Sequence, residues 1–333
     1  MNAPNAEVAD SKRRVVAIGP LLGRYALVVV FVAIIGLFTA LRPSTFATLG
    51  NAQAIASTQA VVALLALAAT MPLVVGAFDV SIGYQLGLSQ TLCAGLSIQS
   101  GWPIGLSALV AVAACVAVGT VNGLLVTRLR LNSFICTLGV GILVLGLTEL
   151  YGNDNTISGP LPSFFTGLGR NTVADVPLPF VYVIVAALLL WVGLEYTAWG
   201  RECHATGGNR RAALLAGVRT DTVTMQAFVI AGALSGISGV LSVSILGAAA
   251  PTVGLGSLLP AFAAAFLGAT AIRTGRFNAL GTILAVYLLA TGITGLQLLG
   301  AQFYVQDLFN GGALIIALTL SALVGRSRGR GET

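Results

Sequence analysis

Two short polar stretches interrupt an otherwise apolar chain, and they hold most of the side chains able to bind a partner. The first spans residues 199–218 and reads WGRECHATGGNRRAALLAGV. Its guanidinium, imidazole and amide groups would bind a partner through charge-assisted hydrogen bonds. The run Ala212–Ala216 consists of strong helix formers and is followed by Gly217, a common helix terminator. The stretch therefore predicts a short helix presented to a partner outside the bilayer.

The second stretch covers residues 75–83, VGAFDVSIG, and contains one acid, Asp79, between two apolar runs. An ionised carboxylate in hydrocarbon is costly, so it should face a cavity or a polar partner. Pro72, Gly76 and Gly83 flank it and predict a broken helix whose free backbone groups line a polar cavity. Two interpretations stay open. In the first, Asp79 and Ser81 belong to the substrate path or its gate. In the second, Asp79 caps a helix that starts near Ile82.

Five uncharged amides lie inside or next to apolar runs: Gln53, Gln59, Asn122, Asn132 and Gln297. Hydrogen bonds between helices explain such residues more often than substrate contact does. Gln53, Asn122 and Asn132 join Asp79 and Ser81 as candidates for the pathway or gate. No apolar run carries acids or bases in series, as an ion or proton pathway would. The pattern favours a neutral, hydroxyl-rich solute over an ion.

Several kinds of chemistry are excluded by residue type. Lys12 is the only lysine, and its sequence context is not that of a phosphate-binding loop, so the chain has no ATP site of that kind. Four cysteines, Cys93, Cys115, Cys136 and Cys203, are far apart and are expected to be small buried apolar residues. We predict no catalytic residue, no metal site and no cofactor. The net charge of +6 comes from arginines at the ends of apolar runs, which gives no nucleic-acid signal.

Composition indicates the membrane class. Hydrophobic residues make up 56% of the 333 residues and charged residues only 8%, against about 25% charged in soluble proteins. We predict an all-α polytopic membrane protein with about ten transmembrane helices, in a transmembrane domain over residues 25–325. The predicted spans are 25–41, 52–71, 80–98, 104–126, 133–150, 180–198, 222–246, 257–272, 278–297 and 306–324.

Charge distribution orients these spans. With the N-terminus inside, the inner segments hold 15 of the 17 basic residues, and only Arg42 and Arg170 fall outside. Both termini are then cytoplasmic, with tails at 1–24 and 326–333. The loop 199–219 is cytoplasmic, and the loop 151–179 faces the other side.

Together the two polar stretches resemble the membrane permeases of ATP-binding-cassette importers for ribose and related monosaccharides. Gly76, Asp79, Ser81 and Gly83 match the first motif of that family, and residues 131–139, LNSFICTLG, are similar to a third motif. The residues matching its loop motif are Gly200, Arg201, Gly207, Gly208, Asn209, Ala212, Ala213 and Gly217. Arg210 and Arg211 stand where the family usually has acids, and Asn132 stands where it has proline.

The resemblance implies the rest of the transport complex. Two permeases, identical or related, would sit on two cytoplasmic ATPase subunits in the bacterial cytoplasmic (inner) membrane. An extracytoplasmic binding protein would deliver the sugar. The loop 199–219, including Arg210 and Arg211, would supply the coupling helix that contacts the ATPase. The two arginines imply a more acidic groove on that partner, and the sugar itself stays open.

Two alternatives compete with the importer. A secondary transporter or facilitator would use Asp79 as its coupling residue, because no other good candidate lies deep in a span. A membrane scaffold that transports nothing would use the polar residues within its spans only for packing.

Overall fold

The computed structural model describes residues 25–153 and 155–329, with side chains through 319. The N-terminal tail predicted at 1–24 lies outside the described residues. Of the tail predicted at 326–333, residues 330–333 also lie outside them, and the last helix continues to Gly329.

The described chain is mostly helical. Its first seven helices are α1 (Tyr25–Leu41), α2 (Leu49–Thr58), α3 (Ala60–Val74), α4 (Ile82–Ile98), α5 (Ile104–Thr127), α6 (Ser133–Gly152) and α7 (Ser163–Arg170). The next seven are α8 (Leu178–Tyr196), α9 (Ala198–Gly208), α10 (Arg210–Leu215), α11 (Thr220–Leu246), α12 (Val253–Gly268), α13 (Ala279–Leu298) and α14 (Tyr304–Gly329).

Four two-residue strands form two small antiparallel pairs. β1 (Ile157–Ser158) pairs with β4 (Ala248–Ala249), and β2 (Thr172–Val173) pairs with β3 (Val176–Pro177). Three of the strands, together with α7, lie in the segment predicted as an outer loop at 151–179. That segment is therefore folded onto the bundle through β1 and β4.

Five helices of the described part, α5, α6, α8, α11 and α13, are long and apolar enough to cross a membrane. A sixth span forms if α2 and α3, which meet at a 42° bend, are taken together. All ten predicted spans overlap a helix, but α1 and α12 are shorter apolar helices. The chain is thus a helical protein with membrane-spanning helices, and the count of ten stays a prediction.

Helix α11 forms the centre of the bundle and packs against α3, α4 and α5. Its contact with α5 depends on small residues. A Cβ added at Gly119 would overlap the Phe228 carbonyl oxygen, and one added at Gly232 would overlap the Cys115 carbonyl oxygen. Backbones approach this closely only where side chains are absent, as in small-residue packing of membrane helices.

Helix α6, in contrast to the small-residue contact of α11 with α5, carries large exposed apolar side chains. On α6, Leu143, Leu147 and Leu150 form a stripe at helical spacing, and each is more than 60% exposed. Such a continuous apolar face suits contact with lipid or with another apolar helix. Polar residues of the bundle are concentrated instead in α4, α5, α11 and the segment that joins α3 to α4.

Candidate functional site

A sharp break separates α3 from α4 at residues 75–81. The amide of Ala77 donates to the Pro72 carbonyl at 2.9 Å, and the amide of Gly76 donates to Leu73 at 3.1 Å. Gly76 has φ +79°. This pair of bonds, with a left-handed glycine between them, is the Schellman arrangement that ends a helix. The predicted broken helix is therefore present, and glycine supplies the conformation that ends α3.

Asp79 lies in this break and is buried within a network of uncharged polar groups. Its Oδ1 accepts hydrogen bonds from the Ser81 amide at 3.0 Å, from Ser81 Oγ at 2.6 Å and from Asn122 Nδ2 at 3.4 Å. Ser81 Oγ accepts from Asn122 Nδ2 at 2.8 Å and from Gln85 Nε2 at 2.7 Å. Ser81 thus uses its one donor and both acceptor positions. The network joins α4 to α5 through the break.

Three oxygen atoms of this network have no hydrogen-bond partner among the described residues: Asp79 Oδ2, Gln85 Oε1 and Asn122 Oδ1. The three side chains are all buried. A buried acceptor without a donor costs roughly 1–3 kcal/mol. The hydrogen-bonding capacity of this cluster is therefore not fully used within the described residues, unlike that of a purely structural polar core. Asp79 also bonds the amide two residues ahead of it, which is a local turn rather than the predicted cap of a helix starting at Ile82.

The second half of the break is held by α6. The Phe78 amide donates to Ser133 Oγ at 3.0 Å, and the Val80 amide donates to Thr137 Oγ1 at 3.0 Å. Backbone amides that would be unpaired at the break are thus satisfied by hydroxyls one helical turn apart. Ser133 and Thr137 are therefore part of the site, although the sequence showed them only as members of a family motif.

The C-terminal end of α9 packs directly on the break. A Cβ at Gly207 would overlap the Val74 carbonyl oxygen and lie 3.2 Å from the Gly76 amide nitrogen. Beside this contact is a cavity of about 470 Å³, lined by Val75, Gly76, Ala77, Val126, Arg130, Leu131, Ser133, Thr206, Gly207, Gly208, Asn209, Arg210 and Thr224. The loop 199–219 and the Asp79 segment are therefore adjacent in space.

The loop 199–219 contains two helices rather than one. Helix α10 lies where the sequence predicts a short helix, and Asn209 caps it by accepting from the Ala212 amide at 3.0 Å. Gly217, with φ +85°, ends it through a second Schellman arrangement. Leu214 is 51% exposed and Leu215 is 86% exposed. Helix α10 thus presents two apolar side chains outward, as a docking surface would.

Ion pairs fix α10 against the bundle. Arg130 donates to both Asp221 oxygens at 3.0 and 2.9 Å, and Arg210 also bonds Asp221. Asp221 lies in the first turn of α11. One carboxylate therefore joins α10, α11 and the turn after α5. Sequence reasoning missed Asp221, although an acid in the first turn of a helix was a visible signal.

The remaining predicted residues lie elsewhere. Gln53 Nε2 donates to the Asp175 carbonyl at 2.8 Å, which ties α2 to the segment before α8. Asn132 caps α6 by accepting from the Ile135 amide at 3.2 Å. The structure thus brings Asp79, Ser81 and Asn122 together, and it gives Gln53 and Asn132 separate structural contacts.

Cys203 and His204 are adjacent in the sequence of α9 but have separate surroundings. Cys203 is fully buried under α9, and burial, with the nearby Glu202 charge, raises the pKa of its thiol to about 12. His204 Nδ1 is 2.8 Å from the Gly200 carbonyl oxygen of its own helix. The described residues contain no group of three metal-ligating side chains.

This chain is similar to one protein family and to three known proteins described below. The family described as "Branched-chain amino acid transport system / permease component" matches residues 51–318. A ribose import permease protein of Bacillus subtilis strain 168 is 33% identical over 304 residues, covering 91% of this chain and 92% of its own. The D-allose transport system permease protein of Escherichia coli K12 is 29% identical, covering 91% and 93%.

A third relative is the autoinducer 2 import system permease protein of Escherichia coli O9:H4 strain HS. It is 29% identical over 273 residues, covering 80% of each chain. No solved structure matches this chain.

Proposed function

The chain belongs to the family of branched-chain amino acid transport system permease components, and we propose that it is the permease subunit of an ATP-binding-cassette importer. Its relatives are named as import permeases for ribose, D-allose and autoinducer 2. The proposed cargo is a monosaccharide or a related polar neutral solute. The chain is a transport component and not an enzyme, so ATP hydrolysis belongs to a partner.

One observation carries the coupling part of the proposal, namely the contact between α9 and the break in front of α4. Helix α10 exposes Leu214 and Leu215, and α9 connects it to the glycine contact at Gly207. A force applied to α10 by a partner would therefore reach residues 75–81 through two short helices. Because a close-packed interface does not deform continuously, a shift of α9 would move the break.

In this account, Asp79, Ser81 and Asn122 act at the gate. Their network contains unpartnered acceptors, so an arrangement that brought donors to them would gain hydrogen bonds. A second arrangement of the break would let the same groups exchange partners. ATP-driven closure of the ATPase dimer would select one arrangement, and ATP hydrolysis would restore the other.

The proposed complex places α9 and α10 in the cytoplasm of a bacterium, with about ten spans crossing the cytoplasmic (inner) membrane. The concentration of arginines in alternate loops supports this orientation. The partners are cytoplasmic ATPase subunits, a second permease copy or a related chain, and an extracytoplasmic sugar-binding protein. Residues 199–219, with Gly200, Arg201, Asn209 and Arg211 among them, form the proposed ATPase contact.

Purification of the full tagged chain from its native membrane tests the proposal. We expect a chain with a phosphate-binding loop to co-purify in a fixed ratio, and the complex to hydrolyse ATP. Binding-protein addition should stimulate that hydrolysis in the presence of sugar. A chain that purifies alone and moves solute into liposomes without ATP would instead support the secondary transporter with Asp79 as the coupling residue.

A further inference from the structure

A groove of about 240 Å³ lies where the junction of α2 and α3 meets α12, α13 and α14. Seven of its side chains carry an amide or a hydroxyl: Thr58, Gln59, Ser257, Thr294, Gln297, Gln306 and Asn310. None of its lining residues is an acid, a lysine, an arginine or a histidine. Gln59 and Gln297, noted in the sequence as isolated intraspan amides, meet here. The groove is thus polar without charge.

The backbone around the groove is also irregular. Helices α2 and α3 meet at their 42° bend beside Gln59. On the opposite wall, Pro260 lies inside α12 and has no N–H to offer the Gly256 carbonyl one turn earlier. A Cβ at Gly256 would meet no protein atom within 4 Å. Free space and a carbonyl that receives no hydrogen bond from Pro260 therefore add to the polar side chains.

The position of the groove on the molecule requires an explanation. Gly256, Gln297 and Gln306 are exposed at the surface of the chain. Gln297 and Gln306 lie at the adjoining ends of α13 and α14, whereas Gln59 lies midway along the span formed by α2 and α3. An amide facing hydrocarbon at that depth would cost several kcal/mol, on the order of the water-to-cyclohexane value. Other surfaces of the same protein are apolar, as the leucine stripe of α6 shows. A second, larger cavity of about 800 Å³ is lined mainly by apolar residues such as Phe31, Ile55 and Phe180. The groove thus differs from the apolar cavity and the α6 stripe in being polar, and from the cavity beside the break in carrying no charge.

We propose that this groove is the sugar-contacting wall of the translocation path and faces a second permease copy. The inference rests on the proposed importer function. Sugar hydroxyls both donate and accept hydrogen bonds, and so do amide and hydroxyl side chains. The absence of charge disfavours ions. Its volume lies below the roughly 300–1,000 Å³ of pockets for drug-sized ligands, which suits a small solute.

Cysteine labelling tests whether the groove is open to water. Gly256→Cys and Gln297→Cys are placed in the full chain within its complex in sealed membrane vesicles. A charged, water-soluble maleimide should label both above the wild-type background, and Leu147→Cys on the α6 stripe should stay at background. D-ribose or D-allose, whichever the wild-type complex imports, should slow labelling of the groove cysteines at least threefold.

Transport measurements test sugar contact. The pair Gln59→Leu and Gln297→Leu should lower ATP-driven uptake of the same sugar at least tenfold. Co-purification of the ATPase and its basal hydrolysis should stay unchanged. The matched control Gln99→Leu should transport normally, because Gln99 is exposed at the C-terminal end of α4 and lies outside the groove.

The outcomes separate the two proposals. Unlabelled groove cysteines in a complex that imports sugar would refute the groove and leave the importer function standing. Labelled cysteines without sugar protection, and with full uptake in the double variant, would refute sugar contact. A wild-type complex that imports no member of a panel of pentoses, hexoses and polyols with ATP would refute the proposed function and the sugar class, whereas labelling would still report whether the groove holds water.

Discussion

Replacement of Gly207 by alanine tests the contact between α9 and the helix break. The added methyl would overlap the Val74 carbonyl oxygen and lie 3.0 Å from the Val74 carbonyl carbon. These are backbone atoms, so no side chain can rotate away, and α9 must move off the break. Overpacking of this kind costs about 1–3 kcal/mol of unfolding free energy.

Gly208→Ala is the matched control. Gly208 is the next residue of α9, and a Cβ there meets nothing within 4 Å. Both substitutions gain the same helix propensity, about 1 kcal/mol for alanine over glycine. That gain cancels in the comparison. The difference between the two variants should therefore equal the overlap cost, with Gly207→Ala less stable by about 1–3 kcal/mol.

Two assays measure the effect. Thermal unfolding of the purified chain in detergent should give a lower midpoint for Gly207→Ala than for Gly208→Ala. In the reconstituted complex, Gly207→Ala should reduce sugar uptake per ATP hydrolysed, because the ATPase would no longer move the break. Equal midpoints and equal coupling in both variants would refute the close contact and its role in transmission.

Four further substitutions test the same geometry. Asp79→Ala removes the acceptor of Asn122 and Ser81, so it should cost about 1–3 kcal/mol of unfolding free energy. It should lower sugar uptake more than it lowers association with the ATPase. Unchanged uptake would show that Asp79 is not part of the gate. Asp79→Asn keeps an acceptor and should retain ATP-driven uptake, whereas its loss with an intact fold would favour a protonatable coupling residue. Leu215→Glu should abolish ATPase co-purification at an unchanged unfolding midpoint. Asp221→Asn should change the free energy of unfolding by less than about 1 kcal/mol, since its arginine partners are exposed, while lowering sugar-stimulated hydrolysis. A stable complex in either variant, with normal stimulation, would contradict α10 as the docking element.

The sequence predicted those helices and helix ends that are marked by apolar runs or by a glycine. Apolar runs placed the long helices, and Gly76 and Gly217 marked two helix ends because each has the left-handed backbone that glycine favours. Helix α9 was missed, since Gly207 and Gly208 together read as a loop. It forms because Thr197 caps it, with its Oγ1 accepting from the Gly200 amide at 3.1 Å, and because Cys203 is buried against the bundle.

The partners of Asp79 could be predicted only in part. A buried acid between apolar runs was visible, and Asn122 was noted as an intraspan amide. Asp79 and Asn122 are 43 residues apart in the sequence, and they meet only because α5 packs on α4. No local sequence pattern encodes that packing. Gln85 was missed because a lone glutamine in an apolar helix gives no sign of its neighbour. The polar groove likewise joins Gln59 to Asn310, residues with no local relationship.

The central claim is that this chain moves a small neutral solute only when a partner ATPase drives it. The most direct measurement is uptake of labelled D-ribose and D-allose into liposomes holding the complete co-purified complex and its binding protein, with ATP, without ATP, and with a non-hydrolysable ATP analogue. We expect one of the two sugars to accumulate in the liposomes that contain hydrolysable ATP and in neither of the other two samples. Equal accumulation without ATP, or by the chain freed of its ATPase, would contradict it.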